Sequence, residues 1–257
     1  MSRLTTDRQD ATVVLRLDDA ERRNALDLAT MQDLVAQLTA ADADPSVRAV
    51  VLTGSDPAFC AGLDLTEVAE GRLRLEEVED QGADVWRTLQ ELRTPTIAAV
   101  NGAAVTGGLE LVLCCDMAIA SDRARLADTH ARVGIHPSGG MSVLLPRFVG
   151  LREAVTMSLT GRFVHAEEAR SLGLVTEVVE HDRLHGAAME LAASVAECDA
   201  TIVEVLLETY RELSGTPLPE ALRTERRRGR ELIVDAEAVE ARRRDVIARG
   251  RRLSGGT

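Results

Sequence analysis

Along the first 180 or so residues of this 257-residue chain, apolar and polar positions follow two periods, one of strands and one of helices; after about His181 only the helical one remains. Ala11 to Leu17 alternates every second residue, as a strand should. Arg48–Thr53, Thr96–Val100 and Met117–Ala120 are short, nearly unbroken apolar runs, the pattern of buried strands. Asp27 stands just before Leu28, Met31, Leu34, Val35 and Leu38, which share one helical face, so Asp27 is expected as the N-cap and Asp44-Pro45 as the stop. A charged stretch from about Arg72 to Leu92 predicts another helix, ended by Thr94-Pro95. Gly107–Cys115 predicts a short buried helix and Gly139–Val149 a further one. Such alternation predicts α/β layers with helices packed on sheets. Segments 183–197, 201–213, 218–234 and 236–250 are helical in period, with a break at Gly215-Thr216-Pro217. The expected organisation is a core over 1–182 and a helical region over 183–257.

Two glycine turns follow apolar runs: Phe59-Cys60-Ala61-Gly62-Leu63-Asp64-Leu65, and Asn101-Gly102-Ala103-Ala104-Val105-Thr106-Gly107-Gly108-Leu109-Glu110. A turn leaving the end of a buried strand has backbone N–H groups without ladder partners. Two of them converging on one point can stabilise an oxygen that gains negative charge, more so if one opens a helix. Glu110 falls in the first turn of an otherwise apolar helix, where desolvation raises a carboxyl's pKa toward a range useful for proton transfer. The competing reading of Glu110 is a residue that only complements the helix dipole. With Thr106 as N-cap the capping-box position is Leu109 and that reading fits poorly; with Gly107 as cap, Glu110 is at N3 and it survives.

These motifs resemble the crotonase family, the enoyl-CoA hydratases and isomerases. Arg22-Arg23-Asn24-Ala25-Leu26-Asp27 is similar to an early family segment. Leu159-Thr160-Gly161-Arg162, Ala166-Glu167-Glu168-Ala169 and Gly173-Leu174-Val175 are similar to a late one, so the resemblance runs over roughly residues 10 to 185. It implies a ClpP/crotonase-like spiral of repeated ββα units, a helical C-terminal region that makes a trimer, often doubled to a hexamer, and an acyl-CoA substrate in fatty acid metabolism (β-oxidation). It also implies an oxyanion hole at the N–H groups of Leu63 and Gly107, with Glu110 as acid/base. For coenzyme A and substrate it points to Arg23, Ala25, Ala61, Asp64, Leu65 and Gly108. Coenzyme A enters as part of the substrate; no separate cofactor and no metal is expected.

One position departs from the family pattern. Hydratases of the family carry a second glutamate four residues before the glycine that here is Gly134, and this chain has His130. An imidazole can accept, donate or position a proton, so His130 is a candidate catalytic residue; equally it could hydrogen-bond Asp128 or the backbone. An enoyl-CoA hydratase is the leading reading. A double-bond isomerase working with one acid/base and a catalytically weak acyl-CoA binder are the alternatives. A serine hydrolase would need Ser138 beside His136, and no Gly-x-Ser-x-Gly elbow is present.

Composition narrows the field further. A net charge of −12 and five aromatic residues (Phe59, Trp86, Phe148, Phe163, Tyr210) argue against nucleic acid binding. All 30 basic side chains are arginine, so lysine Schiff-base and P-loop chemistry are excluded. Cys60, Cys114, Cys115 and Cys198 lack zinc or disulfide-framework spacing, no apolar segment reaches membrane-span length, and a soluble cytoplasmic protein is expected. Arg223, Arg226, Arg227, Arg228 and Arg230, with Arg242–Arg244, read as a solvated helix face paired with glutamates; contact with nucleotide phosphates is the sharper alternative.

Overall fold

A computed structural model describes residues 3–232 together with 237, 239, 240, 242–244, 246 and 247. Ten strands are present among them: β1 (Leu4–Gln9), β2 (Thr12–Leu17), β3 (Ala49–Gly54), β4 (Ala58–Cys60), β5 (Thr96–Val100), β6 (Ala103–Val105), β7 (Met117–Ser121), β8 (Arg125–Ala127), β9 (Phe163–His165) and β10 (Glu177–Val179). They form a six-stranded sheet in the order β1-β2-β3-β5-β7-β10 and a four-stranded sheet in the order β4-β6-β8-β9. β1 and β2 make an antiparallel hairpin; the ladders β2–β3, β3–β5, β5–β7 and β7–β10 are parallel.

The repeat is a ββα unit. β3, β4 and the helix Leu65–Ala69 make one; β5, β6 and Gly107–Cys114 the next; β7, β8 and His130–Val133 a third. The first strand of each joins the large sheet and the second the small sheet, so every unit turns the chain from one layer to the other. This is the spiral implied by the resemblance. It also explains the unbroken apolar runs. In β3, Val50 and Leu52 point into the main core, while Ala49 and Val51 face a second apolar layer with Val14, Ile97, Ala99 and Ile119. Leu184, Ala188 and Ala192, spaced four apart on the helix Leu184–Ala196, cover that second face. A strand buried on both sides has no polar face to show.

Asp27 caps Leu28–Ala43, its Oδ1 accepting the Thr30 N–H at 2.8 Å, and Met31, Leu34 and Leu38 are buried as the period predicts. The helix expected over 72–92 is much shorter. Leu75–Glu77 is a single 3₁₀ turn, Gly82 adopts φ +67°, and the α-helix begins only at Val85, after Asp84 accepts the Arg87 N–H, and ends at Glu91. Leu73, Val78 and Ala83 of this irregular stretch are buried in the core, so their burial does not require a helix, and the glycine at positive φ interrupts it. The helix expected from Gly139 starts at Met141, because Gly140 takes φ +111° as its cap.

The chain divides into two compact units, residues 1–207 and 208–257, where the sequence pattern alone suggested 182 and 183. In the second, Leu218–Glu231 is helical, and so are the described residues of 236–250; residues 233 and 234 and the rest of 236–250 lie outside the described residues. Arg228 pairs with Glu208 and Glu212, Arg227 with Glu231, and Arg243 with Glu240, as a solvated charged face does.

Candidate active site

β4 and β6 lie side by side in parallel, so the two glycine turns that leave them are neighbours. Gly62 adopts φ +97°, and a Cβ there would come within 3.3 Å of Gly107 N; a Cβ on Gly107 would lie 3.7 Å from Leu63 N. Leu26 pairs with this loop as a third strand would: its N–H donates to Gly62 O and its carbonyl accepts from Asp64 N, which skips Leu63. The N–H groups of Leu63 and Gly107 thus stand close together without a backbone acceptor among the described residues. Gly107 is also the first residue of the helix Gly107–Cys114, whose dipole adds positive potential at that point.

Thr106 is the N-cap, and it sits at φ +52°, an unfavourable region for a β-branched residue. Its N–H donates to Ala127 O at 2.9 Å and its hydroxyl meets the Thr129 hydroxyl at 3.1 Å, which tie the turn to β8 and the loop beyond. Trp86 braces the other side, its indole N–H donating to Gly107 O at 3.2 Å. In the sequence Trp86 stands out only as one of five aromatic residues. Nothing in its local pattern marks a partner 21 residues away.

With Thr106 as cap, Glu110 is not a capping-box residue, and its carboxylate turns away from the helix start. Oε1 accepts the Gly139 N–H at 2.9 Å and the Met141 N–H at 3.1 Å. The side chain is only 2% exposed. Burial pushes the Glu110 carboxyl up from its ordinary value, although the Met141 N–H, the neighbouring His130 and the Gly139 N–H oppose it. Its other oxygen, Oε2, is 3.9 Å from His130 Nε2. The structure therefore brings together the two residues expected to move protons, Glu110 on the helix that Gly107 opens and His130 just after Thr129, which bonds Thr106. A carboxyl and an imidazole arranged like this can hold one water and exchange protons with a substrate whose carbonyl oxygen lies on the N–H pair.

Asp64 is 8% exposed and braces its loop. Its Oδ1 accepts from Thr66 N and Glu67 N to cap Leu65–Ala69, and its Oδ2 pairs with Arg22 at 3.2 Å. Burial raises the Asp64 carboxyl, and the N–H bonds and Arg22 bring it net below its usual range. A cleft of about 380 Å³ opens here, lined by Arg22, Ala25, Leu63, Asp64, Leu65 and Arg72 among others. Ala25, Asp64 and Leu65 thus share one cavity wall with Leu63. Arg23 and Ala61 meet through the backbone, Ala61 N–H donating to Arg23 O at 3.0 Å, and the arginines that line the cleft are Arg22 and Arg72 rather than Arg23. Gly108 backs onto the Cys60 carbonyl.

The serine-hydrolase arrangement does not form. His136 Nδ1 donates to Pro137 O at 2.8 Å, so it does not orient Ser138. A different Ser–His–Asp row does exist: His181 contacts Ser121 Oγ and Asp56 Oδ2, each at 3.0 Å. Its order of exposure is the reverse of a hydrolase, with Ser121 fully buried and Asp56 at the surface. Among the described residues, no group of three His, Cys, Asp or Glu side chains could hold a metal ion, and no helix is long and apolar enough to cross a membrane.

The enoyl-CoA hydratase/isomerase family profile matches residues 7–244. A curated relative, 2,3-dehydroadipyl-CoA hydratase of Escherichia coli K12, is 35% identical over 226 residues, 88% of each chain. The crystal structure of enoyl-CoA hydratase from Bacillus anthracis superposes with a TM-score of 0.86 at 31% identity, covering 94% of this chain and 95% of that one. A monofunctional enoyl CoA isomerase from M. smegmatis reaches 0.74 at 33% identity, over 86% and 99% of the two chains. Spiral, paired glycine turns and matches across nearly the whole length agree: this chain belongs to the enoyl-CoA hydratase/isomerase family and has the crotonase fold.

Proposed function

We propose that the protein is an enoyl-CoA hydratase that adds water across the 2,3 double bond of a trans-2-enoyl-CoA. The observation that carries this reading is the buried pair of proton-transfer groups, Glu110 Oε2 and His130 Nε2 at 3.9 Å, with Glu110 on the helix that opens at the second of the two neighbouring glycine turns. In this reading the two N–H groups form an oxyanion hole for the thioester oxygen, which gains negative charge as the enolate forms. Glu110, whose carboxyl burial pushes up from its ordinary value, delivers a proton to Cα, while His130 handles the water. Coenzyme A arrives as part of the substrate, with no separate cofactor, its arm running along the cleft at Ala25, Leu63, Asp64 and Leu65.

The test is loss of the conjugated-thioester absorbance of crotonyl-CoA. Wild type is expected to turn over, and Glu110→Gln to lose on the order of 10² to 10⁴ in kcat. Intact coenzyme A binding with no turnover of any 2-enoyl-CoA would end the hydratase reading. The isomerase reading draws support from the imidazole at position 130 and from the isomerase among the similar structures. It predicts conversion of a 3-enoyl-CoA to the 2-enoyl isomer that depends on Glu110 and is indifferent to His130→Ala.

We further propose a homotrimer, or a hexamer of paired trimers. Leu151, Val155 and Leu159 lie one helical turn apart on Leu151–Thr160 and are 68%, 45% and 72% exposed, a row that a second copy of the chain would cover. A cytoplasmic setting suits the four free thiols.

A further inference from the structure

Asp128 is 1% exposed, and three donors surround its carboxylate. The backbone N–H of His130 donates to Oδ1 at 3.1 Å, His130 Nδ1 lies 2.7 Å from the same oxygen, and the Ser158 hydroxyl bonds to it from the helix Leu151–Thr160. Burial alone would favour the neutral acid, but these bonds outweigh it and hold the carboxyl below its ordinary 3.8, so Asp128 is ionised at neutral pH. An ionised carboxylate has no proton to give, and a 2.7 Å contact then requires the proton to sit on Nδ1. In the neutral ring Nε2 is left with its lone pair. That nitrogen aims at Glu110 Oε2 across 3.9 Å, too far for a direct hydrogen bond and close enough for one water to reach both at about 2.8 Å.

We infer that Asp128 is a positioning residue: it fixes His130 as the Nδ1–H tautomer and turns the Nε2 lone pair toward a water held jointly with Glu110. This rests on the hydratase reading above, and it gives position 130 the role of base. As the water oxygen bonds to Cβ, Nε2 takes one of its protons. The π pair of the double bond moves into the enolate, whose oxygen the Leu63 and Gly107 N–H groups stabilise, and the Glu110 carboxylic acid gives its proton to Cα. What remains is an Nε2–H imidazolium and a Glu110 carboxylate; passage of that proton from Nε2 to Oε2 through the next water restores both. One water is consumed, and no other reagent is needed.

The test reads the tautomer directly, by ¹⁵N NMR of the whole protein labelled at histidine, with His130→Ala assigning the signal. Wild type is expected to show Nδ1 protonated and Nε2 bare. Asp128→Asn keeps an acceptor for the His130 N–H but offers an amide that also donates, so the ring is expected to move to the Nε2–H form. With it, kcat for crotonyl-CoA is expected to fall on the order of 10² to 10⁴, with KM within about threefold. Ser158→Ala, which removes one donor, is expected to keep the wild-type tautomer and lose less in kcat. In a His130→Ala background, Asp128→Asn should cost nothing further. A wild-type ring in the Nε2–H form overturns the inference, as does an Asp128→Asn loss equally large without His130. If wild type hydrates no 2-enoyl-CoA yet shows the Nδ1–H signal, the positioning stands and the functional reading falls.

Discussion

Gly108→Ala puts two physical effects in direct opposition. On helix propensity alone, alanine here, at the second residue of Gly107–Cys114, would stabilise by at most roughly 0.5 to 1 kcal/mol. The structure opposes it. A Cβ on Gly108 would stand 2.2 Å from the Cys60 carbonyl oxygen and 2.8 Å from Cys60 C, both fixed by the β4–β6 pairing. Reaching ordinary contact at 3.4 Å takes about 1.2 Å of separation, and no flexible side-chain end is there to give way. Overpacking against backbone costs about 1 to 3 kcal/mol, so the clash wins and the variant is expected to be destabilised by about 1 to 2 kcal/mol. The helix start must back away from β4, which carries the Gly107 N–H away from that of Leu63. Misplacement by about 1 Å is worth on the order of 10² in rate, and that is the expected loss in kcat for crotonyl-CoA hydration. Urea unfolding and the absorbance assay measure the two effects separately. Gly186→Ala is the control: Gly186 is also helical, nothing stands within 4 Å of its would-be Cβ, and it should gain stability with activity unchanged. Wild-type stability and kcat in Gly108→Ala would refute the close approach on which the site geometry depends.

Glu110 and Asp128 should give opposite pH signatures in stability. Burial raises the folded Glu110 value above its ordinary 4.5, so its stabilising contribution is present below that value and is lost as pH rises through the folded value. Glu110→Gln should therefore gain on wild type in urea titrations as pH rises above 4.5; a gap that is flat with pH would show that the folded carboxyl titrates normally. Asp128 burial is outweighed by its hydrogen bonds, the folded value lies below 3.8, and its contribution is present above 3.8 and lost as pH falls through the depressed value; the deficit of Asp128→Asn should thus close toward acid. Asn24→Ala should cost about 3 kcal/mol, because the 1% exposed amide donates to Ser55 O and Ala58 O and accepts from Asp19 N, and its loss leaves buried groups unpaired. A denaturation midpoint within error of wild type would contradict that. Leu159→Arg should shift the sedimentation coefficient toward a monomer with secondary structure retained, and an unchanged assembly would remove that helix face from the interface.

The sequence by itself determined whatever depends on near neighbours and on repetition. Unbroken apolar runs marked β3, β5 and β7 as buried strands, an aspartate before an apolar stripe marked the cap at Asp27, and two glycine turns marked where N–H groups leave the sheets. Glu110 and His130 could be singled out because motif spacing along the chain identifies them. Tertiary structure alone decided what those side chains face. The Glu110 carboxylate is held by N–H groups 29 and 31 residues away, Trp86 reaches Gly107 across 21, and Arg22 meets Asp64 across 42. No local period encodes such separations; they arise because the ββα spiral stacks turns from successive units on one another. The expected helix over 72–92 was likewise decided by tertiary structure: Leu73, Val78 and Ala83 are buried in the core, but on a path that passes through a 3₁₀ turn and Gly82 at φ +67°, so only Val85–Glu91 is α-helical. The ionised state of Asp128 was equally out of reach of the sequence, since it depends on burial and on a hydroxyl brought in by Leu151–Thr160, and both exist only once the layers have closed around it.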